Sequence, residues 1–235
     1  MTQTSVHRLA MLPFGMLNAF LLVRQGRAML VDTGLPGAQP RIERALRAQG
    51  LGWSDLALIV LTHAHIDHAG SAAQLQRHTK APLILHRDEL AYAQGAKPLL
   101  KPSGPFGWLF HKTGAIERPF EPVTPDRLMT AETLDLAEYG FSAHLVHTPG
   151  HTPGSLSVVL DGGRVIAGDL LASGILLGGI ALRGRPKSPP FEEDSAAVAA
   201  SLHRLLAMGC ETFYLGHGGP LPAVAVRRHI DRLQR

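Results

Sequence analysis

Thr62-His63-Ala64-His65-Ile66-Asp67-His68 is the stretch that decides how this chain folds and what it holds. It packs three imidazoles and a carboxylate into six consecutive residues, directly after the apolar run Leu56 to Leu61. Three more residues of the same chemistry follow far downstream. They are His151 in His147-Thr148-Pro149-Gly150-His151, Asp169 in Ala167-Gly168-Asp169, and His217 in Leu215-Gly216-His217-Gly218. Neutral imidazole nitrogen and carboxylate oxygen are the donors that zinc and related metals take in open catalytic sites. Any one of these histidines alone reads as an ordinary surface or core residue. The set of seven, each beside a glycine, a turn or the end of an apolar run, exceeds the needs of one ion and suits two. The expectation is a pair of divalent metal ions, zinc first, with iron or manganese also compatible.

Working outward, each ligand-type residue follows a strand. Leu56 to Leu61 precedes His63, Ser142 to His147 precedes His151, Arg164 to Ala167 precedes Asp169, and Phe213 to Leu215 precedes His217. Two hairpins are expected. One joins Ala19–Val23 to Ala28–Val31 around Gly26, and the other joins Ser155–Leu160 to Arg164–Ala167 across Asp161-Gly162-Gly163. Helical spacing marks Arg41 to Gln49, Ser71 to His78, Ser195 to Met208 and Ala223 to Leu233. Further strands are expected at Pro82 to Leu85 and Thr133 to Leu136. Two sheets face to face, with helices outside, would bring the ligand-bearing loops to one edge.

Residues 95–125 break this rhythm, with prolines, glycines and large apolar side chains in no sustained period. A loop of that length inside a compact domain is usually functional or mobile. The run from Val165 to Leu182 is nearly free of charge, but Asp169 and four glycines interrupt it. An apolar loop beside the site suits it better than a membrane span. Neither a linker nor a short repeat divides the 235 residues, so one domain is expected, with its motif-bearing core over about residues 18–220.

Composition fits a globular protein: 45% of residues are hydrophobic and 18% charged. The net charge of +4 is scattered. The one basic cluster, Arg227, Arg228, Arg232 and Arg235, reads as a solvated helix face, so no nucleic-acid partner is expected. Cys210 is the single cysteine, so no intrachain disulfide forms, which suits a reducing cytoplasm. The N-terminus lacks the pattern of a secretory signal. The long apolar loops would permit a homodimer.

The order His63-x-His65-x-Asp67-His68, His151, Asp169, His217 resembles the metallo-β-lactamase superfamily. So do the upstream Asp32-Thr33-Gly34 and the string His147 to Ser155. The resemblance implies an α+β fold, a four-layer αββα sandwich with a binuclear site at one edge. It implies that His63, His65 and His151 hold one metal, that Asp67, His68 and His217 hold the other, and that Asp169 bridges them. Asp32 would orient a ligand histidine, although a strand-end cap explains it equally well. The departures narrow the activity. β-Lactamases of the superfamily generally lack the bridging aspartate, and some use a cysteine ligand, whereas Cys210 lies outside every motif. Glyoxalase II enzymes carry a glycine-cysteine-glycine-arginine string after that aspartate, where this chain has Leu170-Leu171-Ala172-Ser173-Gly174.

The leading expectation is a binuclear-metal-dependent hydrolase of a small-molecule ester, lactone or thioester, in which a metal-bridging hydroxide attacks the carbonyl carbon. Asp67, bound through one oxygen, would orient that hydroxide and accept its proton. Trp108, Phe110, Leu171, Ile175, Leu176 and Leu177 are candidates for an apolar pocket wall. Arg183, Arg185 and Lys187 could meet an anionic group. Two alternatives stay open: a metal-dependent phosphodiesterase or nuclease, and a mononuclear iron dioxygenase using part of the ligand set.

Overall fold

The computed structural model describes residues 3–234. Arg235, placed above in the basic cluster, lies outside the described residues. The first sheet takes its strands in chain order: β1 (Ser5–Leu12), β2 (Leu17–Arg24), β3 (Arg27–Val31), β4 (Leu56–Val60), β5 (Leu83–His86) and β6 (Arg127–Met129). Strands β1 to β3 form an antiparallel meander, and β3 to β6 run parallel. The chain continues through β7 (Thr133–Asp135), β8 (Ala143–His147), β9 (Leu156–Leu160) and β10 (Arg164–Ile166). A two-stranded ribbon follows, β11 (Ala172–Ser173) with β12 (Pro186–Lys187), then β13 (Thr212–Tyr214) and β14 (Leu221–Pro222). The second sheet has the order β14-β13-β10-β9-β8-β7. Helices are α1 (Gln39–Ala48), α2 (Ile66–Ala69), α3 (Ala72–His78), α4 (Leu90–Ala93), α5 (Pro105–His111), α6 (Ser195–Ala207) and α7 (Ala223–Leu233).

Alternation along the strands builds four layers. Phe20, Leu22, Met29, Val31, Leu58 and Val60 point one way and meet Leu145, Leu156, Val158 and Ile166 of the other sheet. Their neighbours Leu21, Leu30, Ile59 and Leu83 point the other way, against Ile42 and Leu46 of α1 and Leu75 of α3. On the far side, Val165 and Phe213 pack on Leu202 and Leu205 of α6 and Val226 of α7. Central strands with both faces covered need apolar residues at nearly every position, which is why Leu56 to Val60 reads as an unbroken run. The result is the αββα sandwich of the α+β class.

Several elements escaped the sequence patterns. β1 opens with Ser5, His7 and Arg8 among its first four residues and acquires its strand state by pairing with β2, Leu9 opposite Ala19. β6 is three residues long and held by β5. Within residues 95–125 a helix, α5, forms after Gly104, with proline at its first turn. The apolar run 165–182 is a strand followed by loop and ribbon. No helix among the described residues is long and apolar enough to cross a membrane.

The parallel arrangement positions the site. β3 and β4 end at the same edge, delivering Asp32 and His63, while β10 runs parallel to β13 and delivers Asp169 alongside His217. Loops beyond the carboxyl ends of parallel strands are a recurrent place for binding sites. The Leu156 amide donates to the Thr62 carbonyl and ties the two edges together.

Candidate metal centre

Three imidazole nitrogens meet on one side of the centre. Nε2 of His151 lies 3.2 Å from Nε2 of His63 and 3.2 Å from Nδ1 of His65. Donors spaced tetrahedrally on bonds of about 2.1 Å would stand roughly 3.4 Å apart. The other ring nitrogens fix the tautomers. The Thr62 hydroxyl has one proton and gives it to Asp32, so at 3.0 Å it must accept from Nδ1–H of His63. Nδ1–H of His151 donates to the Phe191 carbonyl at 3.0 Å. Both Nε2 atoms therefore turn bare lone pairs toward one another, an arrangement that calls for a cation between them.

The second side is built from Asp67, His68 and His217. Nε2 of His217 is 3.4 Å from Oδ2 of Asp67, and Nε2 of His68 is 3.9 Å from the same oxygen. Asp169 spans both sides. Its Oδ2 is 3.1 Å from His217 and 3.8 Å from His151, and its Oδ1 is 3.5 Å from His68. Nε2 of His65, Oδ1 of Asp67, Nε2 of His68 and Oδ1 of Asp169 are buried without a hydrogen-bond partner. Of these, Nε2 of His68 and Oδ1 of Asp169 lie 3.5 Å apart within the cluster, and because buried polar atoms are nearly always paired, that pair fits a site for metal ions. Groups His63/His65/His151 and Asp67/His68/His217 each bring their donor atoms close enough to share one.

A ring of supporting contacts holds these side chains. Asp32 accepts from the Thr62 amide at 2.8 Å and from Nδ1–H of His68 at 2.9 Å, which goes beyond capping a strand. Its backbone adopts φ +63°, a left-handed conformation uncommon outside glycine. Thr33 donates from its amide and its hydroxyl to the His68 carbonyl, so the Asp32-Thr33-Gly34 string docks directly on the turn bearing His68. Nδ1–H of His217 reaches the Met16 carbonyl. Gly216 is required by close approach: a Cβ there would lie 2.1 Å from Oδ1 of Asp169.

Glu89 went unseen in the sequence. It is fully buried, and its two oxygens accept from the Ala64 amide and the Gly154 amide, each at 2.9 Å. It thereby clips the His63–His65 loop to the loop after His151. A lone glutamate in an unremarkable local pattern carries no signal for that role.

Burial disfavours charge throughout the cluster, yet the groups divide. Burial and the adjoining histidines hold His63 well below its ordinary value, and burial with His151 takes His65 to about 3. Burial would lower His68, but Asp169, Asp32 and Asp67 outweigh it and raise it to about 9. His217 is likewise raised by Asp169 and Asp67 against burial. Burial would raise Asp67, but His68 and His217 hold it at about 2. The field favours positive charge on the carboxylate side and bare nitrogen on the other, which is what two divalent cations would meet.

The metallo-β-lactamase superfamily model matches residues 12–217. The chain belongs to the metallo-β-lactamase superfamily. It is 29% identical over 223 residues to the probable metallo-hydrolase YflN of Bacillus subtilis, covering 87% of this chain and 80% of that one. Hydroxyacylglutathione hydrolase GloC of Haemophilus influenzae is 27% identical over 148 residues, 63% of this chain and 62% of the relative. The crystal structure of TTHA1623 in a di-iron-bound form superposes with a TM-score of 0.64 at 29% identity, over 90% of this chain and 92% of that one. As a metallo-β-lactamase-fold protein with paired His/Asp clusters, the chain is a metallohydrolase.

In this metallo-β-lactamase fold a cavity of about 500 Å³ opens on His65, Asp67, His151, Asp169 and His217. Of the six expected wall residues, Phe110 and Leu177 line it. Leu171 instead packs beneath α6, and Trp108, Ile175 and Leu176 are exposed away from the cavity. The remaining wall comes from Leu12, Leu17, Leu35, Ile66, Ile116 and Phe191, which no local pattern brings together. Arg118 also lines it, whereas Arg183, Arg185 and Lys187 do not. Arg183 bonds the Gly179 carbonyl and Lys187 the Leu176 carbonyl.

Proposed function

We propose that this protein hydrolyses an acyl bond, an ester, lactone or thioester, at a centre of two divalent cations. His63, His65 and His151 would hold one ion, Asp67, His68 and His217 the other, and Asp169 both. Bound there, the ions supply Lewis acidity and a lowered pKa for water. The donor set is imidazole and carboxylate without thiolate, which suits zinc or iron.

The observation that carries the acyl reading is the cavity over these ligands. Leucine, isoleucine, phenylalanine and proline make most of its walls, and Arg118 is the one guanidinium there among the described residues. Such a lining takes up an acyl chain and excludes bulk water from the reacting carbonyl. A nuclease, which grips a run of phosphates, would be favoured by further cationic side chains around the same ligands, and the lining offers Arg118. Asp67 presents Oδ2 to His68 and His217 and keeps a buried, unpartnered Oδ1, so it is placed to hold a proton released from the attacking water. The likeness to a hydroxyacylglutathione hydrolase agrees with an acyl bond. Leu170 to Gly174 stand where glyoxalase II enzymes carry their glycine-cysteine-glycine-arginine string, so glutathione is not the proposed leaving group.

The test is turnover of a lactone, a thioester and a bis-aryl phosphodiester, each with and without a chelator. Preference for the acyl substrates, abolished by chelation, is the expected result. Preference for the phosphodiester overturns the acyl reading, and chelator-insensitive turnover overturns the metal one.

A further inference from the structure

A second cavity lies at the N-terminal end of α5, whereas the cavity over the metal centre takes Phe110 near the helix's other end. The second cavity has a volume of about 410 Å³, and none of the seven clustered His and Asp residues lines it. Phe106 of α5, Lys187 of β12, Pro190, and His229, Arg232 and Leu233 of α7 form its walls.

His229 is the informative residue. Only 3% of it is exposed, yet neither ring nitrogen has a hydrogen-bond partner. A buried imidazole left wholly unpaired is rare in folded proteins, and here it borders open space. Its surroundings are cationic. Lys187 is partly buried, with its ammonium on the Leu176 carbonyl and the face of Phe106 at 5.6 Å. Arg232 spends Nε on the Arg228 carbonyl and one terminal nitrogen on the Pro186 carbonyl at 2.9 Å. No carboxylate lines the cavity among the described residues, although Ser188 at its rim is tied to Glu192.

Two cations lining one cavity that has no carboxylate among the described residues, beside an imidazole with both nitrogens unpartnered, suit an anion. Proline, phenylalanine and leucine complete the lining, so the anion should carry an apolar body. From this geometry we infer that the cavity binds a small organic anion, a carboxylate or phosphate monoester, with its charged end at Lys187 and Arg232 and a hydrogen bond from the His229 ring. Burial and Arg232 keep that ring's pKa near 4, so in the free protein it is neutral with one N–H to offer. The site touches the catalytic cavity through α5. Phe106 lines one chamber and Phe110 the other, their rings stacked with centroids 5.9 Å apart, and Pro190 borders both.

The experiment is histidine side-chain NMR on the zinc-loaded protein, with His229 assigned through the backbone and titrated with benzoate and with phenyl phosphate. A saturable shift of the His229 resonance at or below about 1 mM is expected. Lys187→Met should weaken it about tenfold, the loss of one charged hydrogen bond. Response to one probe alone supports the site and names its anion. Absence of a saturable response to either probe overturns the inference. An equal affinity in Lys187→Met also overturns it, because the shift then reports binding elsewhere, such as the metal centre.

Discussion

Asp32 Oδ2 accepts a hydrogen bond from Nδ1–H of His68 at 2.9 Å, with both side chains buried. Through Thr62 the same carboxylate also fixes the tautomer of His63, so one acid orients a histidine on each side of the centre. In Asp32→Asn the amide group must face either the Thr62 amide or the His68 ring, donor against donor. The expected loss is about 10- to 100-fold in metal affinity, measured by competition with a chromogenic chelator. Unchanged affinity would return Asp32 to the rank of a strand cap.

Asp67 should separate binding from chemistry. Its Oδ2 is the oxygen turned to His68 and His217, while Oδ1 is free for a proton. Asp67→Asn keeps an oxygen for the ion and removes the base, so kcat should fall by roughly 100-fold or more. Metal content is measured alongside. Near-normal turnover with full metal content would remove Asp67 from the proton-handling role.

Glu89→Gln tests the clip between the two ligand loops. An amide offers one acceptor oxygen, so either the Ala64 or the Gly154 amide loses its partner and meets an N–H instead. A destabilisation of about 1–3 kcal/mol is expected from urea unfolding. The loss should appear in metal-free and metal-loaded protein alike, because the clip is made between backbone amides. An effect confined to the loaded form would contradict this.

His229 sets a pH dependence of stability. Burial, with Arg232, lowers its pKa from 6.5 to about 4 in the fold. Between those values the unfolded chain takes up a proton that the folded chain refuses. Stability is therefore lost as pH falls from 6.5 toward 4, and no further loss from this group follows below that. His229→Gln should flatten this part of the profile relative to the parent protein in chemical unfolding series. Parallel profiles would show that the imidazole is not held neutral.

Much of this was legible in the chain because the relevant signals are local. Strands buried on both faces write continuous apolar runs, and α6 shows Val198, Leu202 and Leu205 at helical spacing, all buried. The seven candidate ligands could be picked out because histidine density is rare and strand ends mark positions, and the fold gathers them into overlapping groups of three whose donor atoms lie within 4.8 Å of one another. What stayed hidden depends on neighbours that sequence does not state. β1 takes its state from β2, and Glu89 gains meaning only from amides 25 and 65 residues away. The pocket wall mixes Leu12, Leu35 and Phe191, while Ile175, which looked as suitable, points outward.

β5 and β6 are parallel neighbours, so the chain between them must leave the sheet and return. Residues 95–125 lie on that excursion and supply α5, Ile116 and Arg118 to the cavity. None of the seven clustered side chains belongs to it. One part of the cavity wall is thus carried on an excursion from the sheet, while the rest of the wall and all seven clustered side chains belong to the scaffold. Exchanging that one segment would reshape one side of the cavity and leave the clustered side chains where they are, a shortcut open to a lineage and to the protein engineer alike.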